Sequence, residues 1–246
     1  MLPRPVALLL DFGGVLADAP PRRAPPPELV LRLYNVTAGT LTPGAIQRSL
    51  TEGYAAYARW RDEDWPDEMP PAEVWERFLI ADWPRTAQAA VRSVVSRLSY
   101  DWAWRDNWAL RPGIPEMLDA ASAAGIPMAV VSNTVSGAAH RDFLAGAGVG
   151  GLFGAQIYSD EVGVRKPNPQ MIWYATGELD VPSEPCWFVG DSRRRDVLCA
   201  RRADLAAAIL MRSPRTDAED PAGWPEPDAI VPDGFGLLDL LEASKV

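Results

Sequence analysis

The chain carries the sequence VALLLDFGGVL at residues 6–16, and this stretch decides the fold. Residues 6–10 are apolar and stand between a proline and a turn with two glycines, which predicts a short buried strand. Asp11 follows the strand directly, and Gly13 and Gly14 allow the backbone to turn tightly behind it. The carboxylate can therefore face a ligand, although an ordinary turn aspartate explains the stretch equally well when it is taken alone.

Strands and helices alternate through the second half of the chain. The pattern predicts strands over residues 127–131, 156–158, 186–189, 206–211 and 229–231. It predicts helices over residues 115–124, 137–145, 169–178 and 194–202. This alternation indicates an α/β protein, in which a parallel sheet has helices on both faces and binds its ligands at the carboxyl ends of the strands.

The segment between the first strand and this alternating part is helical. Its predicted helices cover residues 43–60, 70–80 and 86–98. The first follows Thr42, an N-cap residue, and opens with proline at its first position. The proline-rich residues 19–27 are expected to form a stiff connector. We therefore predict two units, a sheet core of residues 1–18 and 109–246 and a helical insertion of residues 19–108.

The composition excludes several classes of protein. With 246 residues, a formal net charge of −9 and a pI of about 4.7, the chain lacks the basic face of a nucleic-acid binder. No apolar run approaches the ~20 residues of a membrane helix, and no signal peptide is recognisable. Two cysteines are too few for a disulfide framework, so we expect a cytoplasmic location. With His140 as the one histidine, a zinc site or a Ser-His-Asp triad is disfavoured, which leaves carboxylates and lysine as catalytic groups.

Three more polar clusters follow predicted strands. Ser132 and Asn133 suit an anion such as phosphate, and Lys166, placed before a proline-initiated helix, can direct a positive charge at that anion. Asp191 and Asp196 could together hold a hard cation. Each cluster alone is explained as well by helix caps or by solvated loop residues. Their ordered recurrence along one sheet favours a shared site.

Together with Asp11, these clusters resemble the four motifs of the haloacid dehalogenase superfamily. Asp11 to Val15 matches the first motif, Ser132-Asn133 the second, Lys166 the third, and Gly190-Asp191-Ser192 with Asp196 the fourth. The helical insertion resembles the C1 cap of subfamily I. The resemblance implies a Rossmann-like, three-layer core with a parallel sheet and an inserted α-helical cap.

The resemblance also implies a mechanism. Asp11 would attack phosphorus to form an aspartyl-phosphate that water then hydrolyses, with Lys166 and Ser132 as further catalytic residues. Ser132, Asn133 and Lys166 would bind the phosphoryl group. Mg²⁺ would be held by Asp11, the carbonyl of Gly13, Asp191 and Asp196, of which Asp196 supports the metal site or orients Lys166. The expected partner is a small phosphorylated metabolite or natural-product intermediate, without nucleic acid or membrane, and the protein is expected to be a monomer or homodimer.

Gly13 departs from the family pattern. Most phosphatases of the family carry an aspartate there, which protonates the leaving alcohol and contributes roughly 10²–10⁴-fold. Replacement acids could come from the insertion, where the candidates are Asp62, Glu63, Asp64 and Asp67. The departure keeps two alternatives open, a catalytically weak or binding-only relative and a metal-free 2-haloacid dehalogenase, whose halide leaving group needs no proton. The metal-type fourth motif counts against the dehalogenase.

Three remaining features receive structural interpretations. Most of the nine aromatic residues between 54 and 108 that we single out are expected to form the core of the insertion, with one or two facing substrate. The run Arg193 to Arg195 could attract phosphate, but a solvated helix start beside two aspartates is the favoured interpretation, and residues 62–68 are expected to form a solvated turn. Residues 20–27 and 104–112 are expected to act as hinges for closure of the insertion over the site.

Overall fold

The computed structural model describes residues 2–20, 22, 24–61 and 67–244. Its strands are β1 Leu8–Leu10, β2 Ala17–Asp18, β3 Ala109–Leu110, β4 Met128–Ser132, β5 Ala155–Tyr158, β6 Trp187–Gly190, β7 Ala207–Met211 and β8 Ala229–Val231. Six of them form one sheet in the order β5-β4-β1-β6-β7-β8, with every neighbouring pair parallel. β2 and β3 form a separate antiparallel ribbon. The short β1 is thus central, and the residues after it, β4 and β6 meet at one edge of the sheet.

The helices cover both faces of the sheet and fill the insertion. In chain order they are α1 Pro27–Val36, α2 Pro43–Trp60, α3 Pro71–Val74, α4 Arg85–Arg92, α5 Val95–Ala103, α6 Ile114–Ala123, α7 Gly137–Gly146, α8 Ser159–Val162, α9 Gln170–Glu178, α10 Leu198–Arg202, α11 Pro214–Ala218 and α12 Gly234–Glu242. Two π-helical turns, Trp75–Leu79 and Arg193–Val197, continue α3 and precede α10. None of the described helices is long and apolar enough to cross a membrane.

The sheet is the middle layer of three because alternate side chains of its strands face opposite helices. Leu8 and Leu10 join one buried cluster with residues of α6 and α12, whereas Leu9 joins the other with residues of α9 and α10. Burial of these aliphatic side chains supplies the dominant favourable free energy of folding. The predicted three-layer α/β core is therefore confirmed.

The insertion has a buried cluster of its own, made by α1 to α5 and the π-helical turn between them. Two buried indoles in it satisfy their N–H groups on serines: Trp75 donates to Ser99 and Trp83 to Ser49, each at 2.9 Å. The insertion leaves the core after β2 and returns at β3, where Ala17 pairs with Leu110. The helical cap is thus present between these strands, while its boundaries at residues 19 and 108 stay a prediction.

Several elements of the insertion and of the chain's end differ from those predicted from the sequence. Residues 19–27 were expected to be connector throughout, but Pro27 begins α1, since proline suits the first helical position. The helix predicted over residues 86–98 is two helices, because the backbone leaves helical geometry at Val94. The sequence pattern did not predict helices α8, α11 and α12 or the ribbon of β2 and β3.

Candidate active site

Lys166 forms the centre of the polar cluster at the carboxyl edge of the sheet. Its Nζ lies 2.9 Å from Oδ1 of Asp11 and 2.7 Å from Oδ1 of Asp196, and all three side chains are buried. Burial alone would lower the pKa of Lys166, but the two carboxylates outweigh it and raise that pKa above its usual value. Lys166 is therefore a fixed ammonium ion shared by two acids.

Asp11 extends from the end of β1 into this cluster. Its Oδ1 accepts a hydrogen bond from the N–H of Phe12 at 2.7 Å and contacts Lys166, whereas its Oδ2 has no hydrogen bond within the described ranges. Burial would raise the pKa of Asp11, but Lys166, together with Arg215 and Arg195, outweighs burial and holds that pKa below its usual value. Asp11 is thus an ionised carboxylate with one oxygen free to react.

Asn133 positions Lys166 through its backbone. The amide of Asn133 accepts a hydrogen bond from the N–H of Lys166 at 2.8 Å and donates one to the carbonyl of Lys166 at 3.0 Å. Asn133 also lines the same cavity as Ser132, and the second hydrogen of its amide nitrogen is not used by the Lys166 carbonyl. Asn133 therefore supports the lysine loop, and the expectation that it binds substrate stays a prediction.

Asp191, at the end of β6, has partners on both carboxylate oxygens. Oδ1 accepts a hydrogen bond from Nη1 of Arg215 at 2.6 Å, and Oδ2 accepts one from Oγ of Ser213 at 2.7 Å. Burial and the neighbouring charges of Asp196 and Asp11 raise the pKa of Asp191, against the opposing effect of Arg215. Arg215 therefore serves as the main counter-charge of this carboxylate.

Asp196 and two glycines shape the turns that hold these acids together. Oδ2 of Asp196 accepts the backbone N–H groups of Asp191 and Ser192, each at 3.0 Å. A Cβ at Gly190 would lie 2.1 Å from Cβ of Asp196, and a Cβ at Gly14 would lie 2.1 Å from Oδ2 of Asp191. Gly14 also has φ +80°, a conformation that glycine adopts readily. Close packing of backbone on carboxylate therefore requires glycine at both places.

The three acids have the composition of a hard-cation site. Carboxylate oxygens of Asp11, Asp191 and Asp196 lie within 4.8 Å of one another. Oxygen donors grouped in this way fit Mg²⁺, which binds one or two carboxylates and completes its shell with water and substrate oxygens. Gly13, whose carbonyl the resemblance adds to the set, lines the adjoining cavity. The residues present therefore fit the ion.

A cavity of about 510 Å³ lies between this cluster and the insertion. We call its sheet-edge side, together with the adjoining acids, the floor; Asp11, Ser132, Lys166, Arg195 and Arg215 line the cavity, and Asp191 and Asp196 adjoin Asp11 in the acid cluster. We call its insertion side the roof; its members are Arg22, Tyr54, Tyr57, Arg61, Trp102, Arg105 and Trp108. Both Nη atoms of Arg22 donate at 2.6 Å, one to the carbonyl of Trp102 and one to that of Trp104. Cations outnumber carboxylates in the described lining, which favours an anionic ligand.

Comparisons with known proteins agree with this arrangement. The family model described as haloacid dehalogenase-like hydrolase matches residues 7–204. The chain belongs to the haloacid dehalogenase-like hydrolases. It is 24% identical over 208 residues, 80% of this chain and 84% of the relative, to the haloacid dehalogenase-like hydrolase domain-containing protein 3 of Xenopus laevis.

Two further likenesses lie within the same family. A phosphoserine phosphatase of Thermus thermophilus is 33% identical over 122 residues, about half of each chain (50% and 48%). The solved structure of CbbY from Rhodobacter sphaeroides, in complex with phosphate, is 25% identical with a TM-score of 0.54, over 95% of this chain and 96% of that one. The chain is thus a hydrolase of this family with an inserted helical cap.

Two arginines of the hydrolase's floor escaped the sequence reading. Arg215 follows β7 at the start of α11, where a Ser213-Pro214 start predicts a helix but not a guanidinium pointing at Asp191. Arg195 lines the cavity, so the expectation that residues 193–195 form a solvated helix start was wrong for this residue. The sequence feature that could have identified Arg195 is its position directly before Asp196, which is buried in the site.

The hydrolase offers no replacement for the acid missing at Gly13 within the described lining of the cavity. Asp62, Glu63 and Asp64 lie outside the described residues, and Asp67 is exposed and does not line the cavity. Glu68, expected in a solvated turn, is buried and ion-paired with Arg165 at 2.8 Å. His140 lines the cavity, but burial and the charge of Lys166 lower its pKa to about 3, so it is neutral near pH 7.

The aromatic residues of the insertion divide between its core and the cavity. Trp75 and Trp83 are buried in the insertion's own cluster, as expected, and Trp65 lies outside the described residues. Four line the cavity, namely Tyr54, Tyr57, Trp102 and Trp108. The roof of the hydrolase is therefore largely aromatic, and the expectation that one or two of these rings face substrate stays a prediction.

Proposed function

We propose that this hydrolase releases phosphate from a small organic phosphomonoester, with Asp11 as nucleophile and Mg²⁺ as cofactor. The observation that carries the proposal is the ionised Asp11 carboxylate, paired with Lys166 at 2.9 Å and facing a cavity whose described lining holds more cations than carboxylates. Relatives named phosphoserine phosphatase and phosphoglycolate phosphatase support a phosphorylated metabolite or natural-product intermediate as substrate.

In the first step, Oδ2 of Asp11 attacks phosphorus, because Oδ1 is already held by Phe12 and Lys166. A bond forms between the carboxylate and phosphorus while the ester P–O bond breaks and the leaving oxygen takes up a proton. Water then attacks phosphorus in the aspartyl-phosphate, which releases inorganic phosphate and restores the carboxylate. Asp11, Asp191 and Asp196, with the Gly13 carbonyl, would hold Mg²⁺, which would supply positive charge that offsets the repulsion between two anions.

The remaining floor residues act on the transferring group. The Lys166 ammonium stabilises the charge that develops on the phosphoryl oxygens, and Asn133 keeps its loop in place through two hydrogen bonds. Ser132 ends β4, lines the cavity and offers a hydroxyl to the same oxygens. Arg195 and Arg215 add positive charge beside Asp11.

The leaving group receives little help from this site. Gly13 lacks a side chain that could protonate it, and Asp11 is the one carboxylate in the described lining of the cavity. General acid catalysis contributes about 10²–10⁴-fold, so we expect slow turnover of simple alkyl phosphates and faster turnover of esters with acidic leaving groups. A catalytically weak or binding-only relative is the limiting case.

A metal-free 2-haloacid dehalogenase is the second candidate, favoured by two observations. Position 13 is glycine rather than an acid, and a halide leaving group needs no acid to protonate it. In addition, Arg215 already provides Asp191 with a positive partner at 2.6 Å. Asp11 would then attack carbon rather than phosphorus, and water would cleave the resulting ester. The grouping of three acids within 4.8 Å favours the phosphatase, because such repulsion is relieved by a divalent ion.

The deciding experiment measures phosphate release from a substrate panel that includes phosphoserine, phosphoglycolate and an aryl phosphate, with Mg²⁺ or with EDTA. We expect Mg²⁺-dependent release that disappears in the Asp11→Asn variant and persists in Asp18→Asn, an exposed carboxylate of β2. Full activity in EDTA or in Asp11→Asn would refute the mechanism. Chloride release from 2-chloropropionate in EDTA would establish the dehalogenase instead, and tight phosphate-ester binding without turnover would establish the binding-only relative.

A further inference from the structure

Arg215 contacts a carboxylate oxygen of Asp191, one of the three acids of the proposed metal site. Nη1 of Arg215 lies 2.6 Å from Oδ1 of Asp191, while Oδ2 is held by Ser213. The Asp191 side chain is 2% exposed, so the Arg215 guanidinium reaches it from the more open side of the pair. The Arg215 guanidinium therefore already neutralises Asp191, an acid that the proposed Mg²⁺ site also needs.

The charges of the floor balance without any ion. Three carboxylates, Asp11, Asp191 and Asp196, face three cations, Lys166, Arg195 and Arg215, and each cation acts electrostatically on them. Adding a divalent cation to this set creates an excess of positive charge in a site that is largely shielded from water. Like charges at such distances repel strongly, so one of the three cations has to move away when the ion binds.

Arg215 is the cation that can move. Lys166 is buried between two acids, and Arg195 is partly buried. The Arg215 side chain, by contrast, is 46% exposed and lines the open cavity. The loop beneath it is held independently, because Ser213 and Thr216 bond to Asp191 through their hydroxyls and do not need the guanidinium.

We propose that Arg215 is a built-in counter-ion that competes with Mg²⁺ for Asp191 and swings into the cavity when the ion binds. In the metal-free protein it keeps three neighbouring carboxylates together, which would otherwise repel one another. Once displaced, its guanidinium faces the region where an anionic substrate binds, so a phosphate ester offers it a new partner and favours the exchange. The inference rests on the proposed Mg²⁺ site and deepens it, because it makes metal affinity depend on this one side chain.

The test measures metal binding directly, by calorimetric titration of the full-length, metal-free protein with Mg²⁺ and by the electron paramagnetic resonance signal of free Mn²⁺. The variants are Arg215→Gln and Arg215→Met; the second keeps the apolar stem. Arg212→Gln is the matched control, because Arg212 lies in the same loop and pairs with the exposed Asp217 at 2.8 Å, away from the floor. Thermal melts in EDTA confirm that each variant is folded.

We expect the two Arg215 variants to bind Mg²⁺ and Mn²⁺ about tenfold or more tightly than wild type, because they remove a unit of competing positive charge. Arg212→Gln should bind them as wild type does. Arg215 variants that bind within about threefold of wild type, or more weakly, overturn the proposal. Because the readout is binding, an enzyme that fails to hydrolyse any phosphate ester would refute the proposed function without deciding this inference.

Discussion

The floor and the roof of the cavity both carry buried or half-buried cations, but the groups that contact those cations differ between the two sides. On the floor, Lys166 and Arg215 each lie within 3 Å of a carboxylate. On the roof, Arg22 and Arg105 donate to backbone carbonyls and Arg61 lies over the rings of Tyr54 and Tyr57, with no ion pair among the described residues. The floor is therefore charge-balanced, whereas the roof has positive charge to spare.

This difference in charge balance suits the floor to the reaction and the roof to binding an anionic substrate. A balanced floor keeps its charged side chains together before any ligand binds, as a preorganised reaction centre requires. An unbalanced roof is stabilised by an incoming anion: burial, with repulsion from Arg105, lowers the pKa of Arg22 to about 10. We therefore expect floor substitutions to affect both folding and chemistry, and roof substitutions to affect substrate binding.

The largest effect is expected from Lys166→Met. Removing the shared ammonium leaves Asp11 and Asp196 buried without their ion-pair partner, and breaking such pairs costs about 3–5 kcal/mol of unfolding free energy. Arg105→Met on the roof is the control and should stay within about 0.5 kcal/mol of wild type. Urea denaturation of the three proteins measures this. Equal stabilities would show that the floor is not held by its ion pairs.

A gain of activity is expected from Gly13→Asp, which adds an unpaired acid to the balanced floor. A Cβ at Gly13 meets nothing within 4 Å, so the side chain has room. An acid at this place can protonate the leaving group, and we expect kcat to rise about 10- to 100-fold, below the full range of general acid catalysis because the position is not optimised. Gly13→Ala controls for the backbone change. An aspartate variant no faster than the alanine variant would contradict this reading of Gly13.

A binding effect is expected from Arg22→Met on the roof. Loss of one charge-assisted hydrogen bond to an anionic substrate should raise KM about tenfold, while kcat stays within about twofold. Steady-state kinetics on the best substrate of the panel measure both constants, with Arg59→Met on the exposed side of α2 as control. A fall in kcat at constant KM would mean that the roof takes part in the chemistry.

The smallest effect concerns Asp160, a half-buried carboxylate that lacks the cation given to Asp11. Burial, with the neighbouring Glu161, raises the pKa of Asp160 to about 6, although the N–H of Gly137 donates to it. The folded state keeps this proton to higher pH than the unfolded state does, so wild-type stability falls as pH rises from about 4 to about 6.

The Asp160→Asn variant lacks this titration. Its stability relative to wild type should therefore improve by about 1 kcal/mol between pH 4.5 and pH 7.5. Denaturant melts at both pH values measure the change, and Asp119→Asn on the exposed face of α6 should show none of it. A stability difference that does not vary with pH would remove the basis for the contrast with Asp11.

The sequence predicted the sheet core well because its signals are local. Residues 6–10 and 127–131 are short apolar runs ended by polar residues, and the parallel sheet that they imply brings Asp11, Lys166 and Asp196 together. Arg215 could not be predicted in the same way. Its role depends on which way a long side chain points from the loop after β7, and composition and periodicity do not encode that direction.

The insertion was harder to read because its signals compete. Three successive prolines at residues 25–27 favour an extended connector, yet the third of them begins α1, whose Leu29 and Leu33 are buried. Aromatic residues such as Tyr57 and Trp75 look alike in sequence, but only the packing of α2 against its neighbours decides that the first lines the cavity and the second does not. Tertiary packing, rather than local preference, settled both cases.

The Arg22 guanidinium also has a mechanical consequence. It binds carbonyls at residues 102 and 104, and Ala17 pairs with Leu110 a few residues away, so the outgoing and returning chains are fastened to each other twice. Two connecting segments held together at two places are expected to move together. We therefore expect any closing movement of the helical bundle to be that of a single body, with both chains bending together between the ribbon and Arg22.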